Sequence, residues 1–125
     1  MNKKILIVDD EPHIRILLEQ ALEDLEYEGV ELILAADGRE GLETALNEKP
    51  DLIFLDVMMP YMSGYEVCQH VKQAGFDTHV ILLTAKGQAV DKERGSESGA
   101  DQYVTKPFDP DYIVERACEV LGIDL

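Results

Sequence analysis

The sequence predicts a doubly wound α/β sandwich, with helices packed on both faces of a five-stranded parallel sheet. Three observations carry that expectation. Short apolar runs recur at Ile5–Val8, Leu32–Ala35, Leu52–Leu55, Val80–Leu83 and, more weakly, Tyr103–Val104. They are continuous rather than alternating, the pattern of strands buried on both faces. Segments of helical period separate them, and strict strand–helix alternation builds a parallel sheet.

The helices can be read in order. In the first, Ile14, Leu17, Leu18, Ala21 and Leu25 fall at i, i+3, i+4, i+7 and i+11, and Pro12 suits the first turn. Asp37 is placed to cap a second helix that buries Leu42, Ala45 and Leu46. Ser63-Gly64-Tyr65-Glu66 reads as a capping box ahead of Val67, Val71 and Ala74. The fourth segment, Lys86 to Gly99, is the weakest, because its stripe of Ala89, Val90, Glu93 and Glu97 is half charged and Gly87 and Gly95 interrupt it. It is expected to be the least stable helix. Asp109-Pro110 opens the last one, with Ile113, Ala117, Val120 and Leu121 on one side.

Composition narrows the function. The chain has 125 residues, enough for one domain over 1–125, with 46% hydrophobic and 30% charged residues. Its 11 Lys+Arg against 26 Asp+Glu leave a formal charge of -15. Such a surface repels polyanions, which argues against direct nucleic-acid binding and against anionic membranes. The longest apolar stretch, Leu32–Ala36, holds five residues, whereas a membrane helix needs about 20. Asn2-Lys3-Lys4 opens like a signal peptide, but Asp9-Asp10-Glu11 cuts its apolar stretch short. Cys68 and Cys118 stand far apart with no metal-ligand spacing. A soluble cytoplasmic protein is expected.

Ligands of parallel α/β sheets bind beyond the carboxyl ends of the strands. There the sequence places Asp9, Asp10 and Glu11 after the first strand, Asp56 after the third, Thr84 after the fourth and Lys106 after the fifth. Converging carboxylates repel, and an all-oxygen set favours a hard divalent cation, Mg2+. A carboxylate nucleophile, a cation, an amine and a hydroxyl together suit phosphoryl transfer. Each acid alone could be a helix cap; the coincidence at four strand ends favours chemistry. His13, His70 and His79 are scattered and read as surface or strand-start residues, and Glu66 with His70 lacks a third ligand. Met59 reads as packing.

These motifs resemble the receiver domain of bacterial two-component response regulators. The resemblance rests on Ile5-Leu6-Ile7-Val8-Asp9-Asp10-Glu11, Leu55-Asp56-Val57-Met58-Met59-Pro60 with Ser63-Gly64, Leu83-Thr84-Ala85, Gly99-Ala100-Asp101 and Thr105-Lys106-Pro107-Phe108. It implies a flavodoxin-like fold, (βα)5, with strand order 2-1-3-4-5. It also implies Asp56 as phospho-acceptor, with a sensor histidine kinase or histidine phosphotransfer protein as donor. Asp10 and Asp56 match direct Mg2+ ligands, Asp9 a ligand acting largely through water, and Met58 a backbone-carbonyl ligand. Lys106 matches the lysine that pairs with the phosphoryl group, Thr84 the hydroxyl that swings onto it, and Tyr103 the aromatic switch behind it. A cis Lys106-Pro107 peptide is implied too.

The resemblance further implies output through the fourth helix, fifth strand and fifth helix, as a monomer or a phosphorylation-dependent homodimer. Beyond Mg-dependent self-phosphorylation and self-dephosphorylation, no enzyme activity is expected. Met58 and Lys86 match the positions that tune dephosphorylation. Ile14, Leu17, Pro107 and Phe108 surround the pocket mouth and are expected to dock the donor in part. The charged fourth segment departs from the family pattern.

Rival readings fit less well. A phosphorylation-independent interaction module would lack an acid, the acceptor or the lysine. A haloacid-dehalogenase-type phosphatase needs an acid where Met58 stands. A flavin binder needs a phosphate loop where Asp9-Asp10-Glu11 would repel phosphate, and no P-loop or GxGxxG run is present.

Overall fold

A computed structural model describes residues 3–85 and 97–125. The chain forms β1 (Lys4–Val8), α1 (Pro12–Ala21), a single-turn α2 (Glu23–Glu26), β2 (Glu31–Ala35) and α3 (Gly38–Glu48). There follow β3 (Leu52–Asp56), α4 (Gly64–Gln73), β4 (His79–Ala85), β5 (Gln102–Lys106) and α5 (Pro110–Leu121). All neighbouring strands pair in parallel, in the order β2-β1-β3-β4-β5. The expected fold and strand order are therefore observed. Most of the expected fourth helix, residues 86–96, lies outside the described residues. None of the described helices is long and apolar enough to cross a membrane.

Alternation along the strands builds two cores, one on each face of the sheet. Ile5, Ile7, Leu52, Phe54, Ile81 and Leu83 pack with Leu18, Leu22 and Leu25 on one face, together with Ile113, Ala117 and Leu121 of α5. Leu6, Val8, Ile53, Leu55, Val80 and Leu82 face the other way, onto Ala45 of α3 and Val67, Cys68 and Val71 of α4. Because both faces are covered, β3 is buried along its whole length.

Caps form largely where the sequence places them. Asp37 accepts from the Glu40 amide at 2.8 Å, Ser63 from the Glu66 amide at 3.3 Å, and Asp109 from the Asp111 amide at 2.9 Å. Two apolar assignments, Leu46 and Ala74, are corrected. Leu46 is 41% exposed, because Gly41 and Ala45 carry α3 onto the sheet and the next position turns about 100° away, past the edge strand. Leu17, expected to help dock the donor, is 37% exposed, while Leu22, outside the expected stripe, is fully buried. Ala74 is exposed and serves as the C-cap of α4 rather than as a core contact.

The register sets the level of each strand end. Val8 lies beside Leu55, so Asp9 continues level with Asp56. Asp56 pairs with Leu83, which places Thr84 one step further along, and Lys106 pairs with Ala85. Gly64 locks this end of the sheet, donating its amide to the Val57 carbonyl at 2.9 Å. A Cβ there would fall 2.3 Å from the Asp56 carbonyl oxygen. Gly64→Ala should therefore destabilise the fold by about 1–3 kcal/mol, read as a lower urea midpoint with an unchanged m-value.

Candidate functional site

The β1–α1 turn carries Asp9, Asp10 and Glu11. Asp9 is fully buried, and its Oδ1 accepts the Glu11 amide at 2.9 Å. Glu11 is the N-cap residue of α1 but makes no side-chain cap bond, so this acidic run is not spent on ending the helix. Asp56, 5% exposed, closes β3 beside it. Asp9, Asp10 and Asp56 each present a carboxylate oxygen within 4.8 Å of the others. This is the only such group among the described residues, and neither histidine nor cysteine joins it.

Among the described residues, one ammonium stands among the three acids. Lys106, the last residue of β5, donates to Asp9 Oδ2 at 2.8 Å and lies 3.3 Å from Asp56 Oδ1. Glu11 is more distant, at 3.9 Å. The peptide between Lys106 and Pro107 is cis. Burial pushes the Asp56 carboxyl up to about 7, helped by the charge of Asp9 and a hydrogen bond with Asp10, against the pull of Lys106. Burial disfavours the charge on Lys106, but its bond to Asp9 and the fields of Asp56 and Asp9 outweigh this and raise its pKa. A pocket that keeps a proton on a carboxyl near neutrality is short of positive charge. Hard oxygen donors so placed could hold a divalent cation.

The remaining candidates divide. Thr84 is buried and lies within β4, which runs on to Ala85. Tyr103 is 38% exposed on β5, opposite Leu82. Met58 is exposed two residues past Asp56, and Lys86 lies outside the described residues. Of the four residues expected to dock the donor, Leu17 and Pro107 are exposed, whereas Ile14 and Phe108 pack against the α1–α5 core. His13 is exposed beside Glu11, His70 is exposed, and His79 begins β4.

Two features escaped the sequence reading. Arg15 donates from its guanidinium to the Asp9 carbonyl at 2.6 Å. A basic residue one turn into the helix that follows the acidic Asp9-Asp10-Glu11 loop is the signal that could have found it. Tyr61 is exposed with φ 71°, its ring under the Arg39 guanidinium at 5.6 Å. A cleft of about 530 Å³ lined by Lys3, Asp51, His79 and Arg116 lies at the opposite end of the strands. Its charges are mixed, so chemistry rather than volume selects the acidic pocket.

In metal-free protein the Asp56 shift has a definite sign. Its carboxyl releases a proton near 3.8 when unfolded and about 7 when folded. The folded chain thus binds more protons across that interval, so this group lowers stability as pH rises through it, with the full deficit above 7. Asp56→Asn should raise the metal-free melting temperature at alkaline pH by several degrees, corresponding to about 1–2 kcal/mol. It should also flatten the decline from acid to alkaline pH in a thermal-melt series.

Comparison with known proteins agrees with this geometry. The sequence model described as Response regulator receiver domain matches residues 5–117. The alkaline phosphatase synthesis transcriptional regulatory protein PhoP of Bacillus subtilis is 48% identical over 121 residues, covering 97% of this chain and 49% of that protein. The chain spans about half the length of the curated relatives it matches. Among solved structures, a CheY-like receiver domain protein from Methanospirillum hungatei superposes with a TM-score of 0.85 at 32% identity, covering 98% of this chain and 95% of that one. The BeF3-activated receiver domain of DrrB, a Thermotoga maritima protein, gives 0.79 at 36% identity over 98% and 99%.

Proposed function

The chain belongs to the response regulator receiver domain family, and we propose that it is a phospho-accepting receiver in which Asp56 is the acceptor. The observation that carries this reading is the placement of Asp56 at the end of the central strand, 3.3 Å from Lys106 and converging with Asp9 and Asp10. A carboxylate oxygen of Asp56 attacks phosphorus, the bond from phosphorus to the donor imidazole breaks, and the electron pair returns to the imidazole nitrogen. The donor is a sensor histidine kinase or a histidine phosphotransfer protein. Asp10 and Asp56 would hold Mg2+ directly, with the Met58 carbonyl and, through water, Asp9. The ion supplies charge neutralisation at the phosphoryl oxygens. In support of the indirect role, both Asp9 oxygens already accept hydrogen bonds, from the Glu11 amide and Lys106.

Lys106 pairs with a phosphoryl oxygen from one side and Thr84 closes from the other. Tyr103, its ring now outward, turns inward behind Thr84, and the face of the expected fourth helix, β5 and α5 carries the output. Leu17 and Pro107 contact the donor while Ile14 and Phe108 hold them in place from the core. In this reading the protein works in the cytoplasm as a domain over 1–125, a monomer or a phosphorylation-dependent homodimer, without binding nucleic acid itself.

Incubation with Mg2+ and acetyl phosphate should add the mass of one phosphoryl group to the intact protein. Chelation or Asp56→Asn should abolish the gain, and unchanged labelling of that variant would sink the assignment. Persistence of the label is the second expectation. Met58 offers no polar group to orient the hydrolytic water, and Lys86 could shield the phosphoryl oxygens. A Met58→Asn, Lys86→Glu double variant should lose its label several-fold faster in a decay time course.

A further inference from the structure

Arg15 sits one turn into α1 and reaches back to the backbone of the acidic loop. Its guanidinium donates to the Asp9 carbonyl at 2.6 Å. We propose that Arg15 is a positioning residue for the cation site, holding the Asp9-Asp10 backbone so that both carboxylates converge with Asp56. The inference rests on the reading of the acidic pocket as a Mg2+ site.

The Asp9 carbonyl needs a partner. Strand β1 ends at Val8, and although the Asp9 amide still reaches the Ala35 carbonyl at 3.3 Å, its own carbonyl lies past the last strand pair. Asp9 is fully buried, and a buried carbonyl left unpaired costs about 1–3 kcal/mol. Arg15 fills that need with a charge-assisted bond, stronger than a neutral amide would give. The ring then closes on itself. The Glu11 carbonyl accepts the Ile14 and Arg15 amides at 3.1 and 3.2 Å, so Arg15 is anchored through its backbone to the loop it holds with its side chain.

Among the described residues, Lys106 and Arg15 act differently at the pocket. Lys106 binds carboxylate oxygens, which a cation would also use. Arg15 binds only the main chain, by the contact above, and leaves those oxygens free. Groups that orient ligands without ligating govern metal affinity, because a small cation with strict geometry tolerates little misplacement.

The sign of the mutational effect separates this role from plain electrostatics. Were Arg15 merely a nearby positive charge, its removal would make the pocket more negative and tighten Mg2+ binding. Loss of a positioning bond weakens it. A merely structural arginine would lower stability and leave Mg2+ affinity unchanged.

The test is Mg2+ titration of the metal-free chain by calorimetry, on variants shown by circular dichroism to be folded. Arg15→Met should raise the Mg2+ Kd roughly 10-fold or more, and Arg15→Lys, which keeps a charged donor, should recover most of that loss. If the methionine variant does not fold, Arg15→Gln takes its place with the same expected weakening. Affinity equal to or tighter than the parent's, or a lysine variant no better than the neutral one, overturns the assignment. A parent protein that binds no Mg2+ overturns the cation-site reading itself, an outcome distinct from a parent that binds and variants that match it.

Discussion

Like-charge crowding at the ends of β1 and β3 is the constraint on which the rest of the site depends. Three carboxylates bring oxygens within 4.8 Å of one another, and among the described residues one lysine stands among them. Two unit charges about 4 Å apart repel by roughly 4 kcal/mol at an effective dielectric of 20. The protein answers with an Asp56 carboxyl that burial and the neighbouring acids push up to about 7, a lysine bridging Asp9 and Asp56, and a loop whose main chain is tied by Glu11 and Arg15. Each is partial. A proton silences the carboxylate that would be the nucleophile, and the lysine occupies oxygens that a cation would share. The arrangement is therefore better suited to a charged ligand pair, cation plus phosphoryl, than to the empty pocket.

A site under such repulsion needs a rigid mount. The central strands supply it, since Ile5 to Val8 and Leu52 to Leu55 are all fully buried between two helical layers. Full burial of each such side chain stabilises by about 1.5–3 kcal/mol, so the summed burial of these strands far exceeds the electrostatic strain at their ends. A second clamp steadies the other end of β4. Lys72 of α4 donates to the Thr78 carbonyl and to Asp101, both at 2.7 Å, and Asp101 accepts the Val80 amide at 2.8 Å. Burial works against the ionised Asp101, but the bonds from Lys72 and Val80 outweigh it and lower its pKa. The entry into β5 is thus fastened to the start of β4, which fixes the height at which Lys106 emerges.

Much of this was legible in the sequence, for identifiable reasons. Continuous apolar runs such as Leu52–Leu55 are unambiguous when both faces are covered, and strand ends then locate Asp9, Asp56 and Lys106, while Thr84 falls one residue inside the end of β4. The caps at Asp37, Ser63 and Asp109 were legible because side-chain and backbone chemistry are local there. Edges were not. Leu46 fits a helical stripe as well as Leu42 does, and only the rotation of the helix on the sheet exposes it. Arg15 was missed because its partner is a main-chain carbonyl, which leaves no complementary residue to find. The same holds for Tyr61, whose positive φ is a property of the turn rather than of the residue type.

Alternation along β4 and β5 also gives the proposed switch a direction. Val104 packs in the α1–α5 core, so Lys106, two residues on, approaches the pocket from that face. Leu82 packs with α3 and α4, so Thr84 approaches from the opposite one. Tyr103, opposite Leu82 in register and one residue from Val104, lies on the Thr84 side. A phosphoryl group on Asp56 would therefore meet a lysine already held in place on one face and a threonine with an outward tyrosine nearby on the other. The threonine's face is where a displacement can travel to the surface, through Tyr103, whose ring is more than a third exposed. In the proposed reading, charge neutralisation comes from the α5 face of the sheet, while the displacement starts on the opposite face and reaches the output surface through Tyr103 of β5.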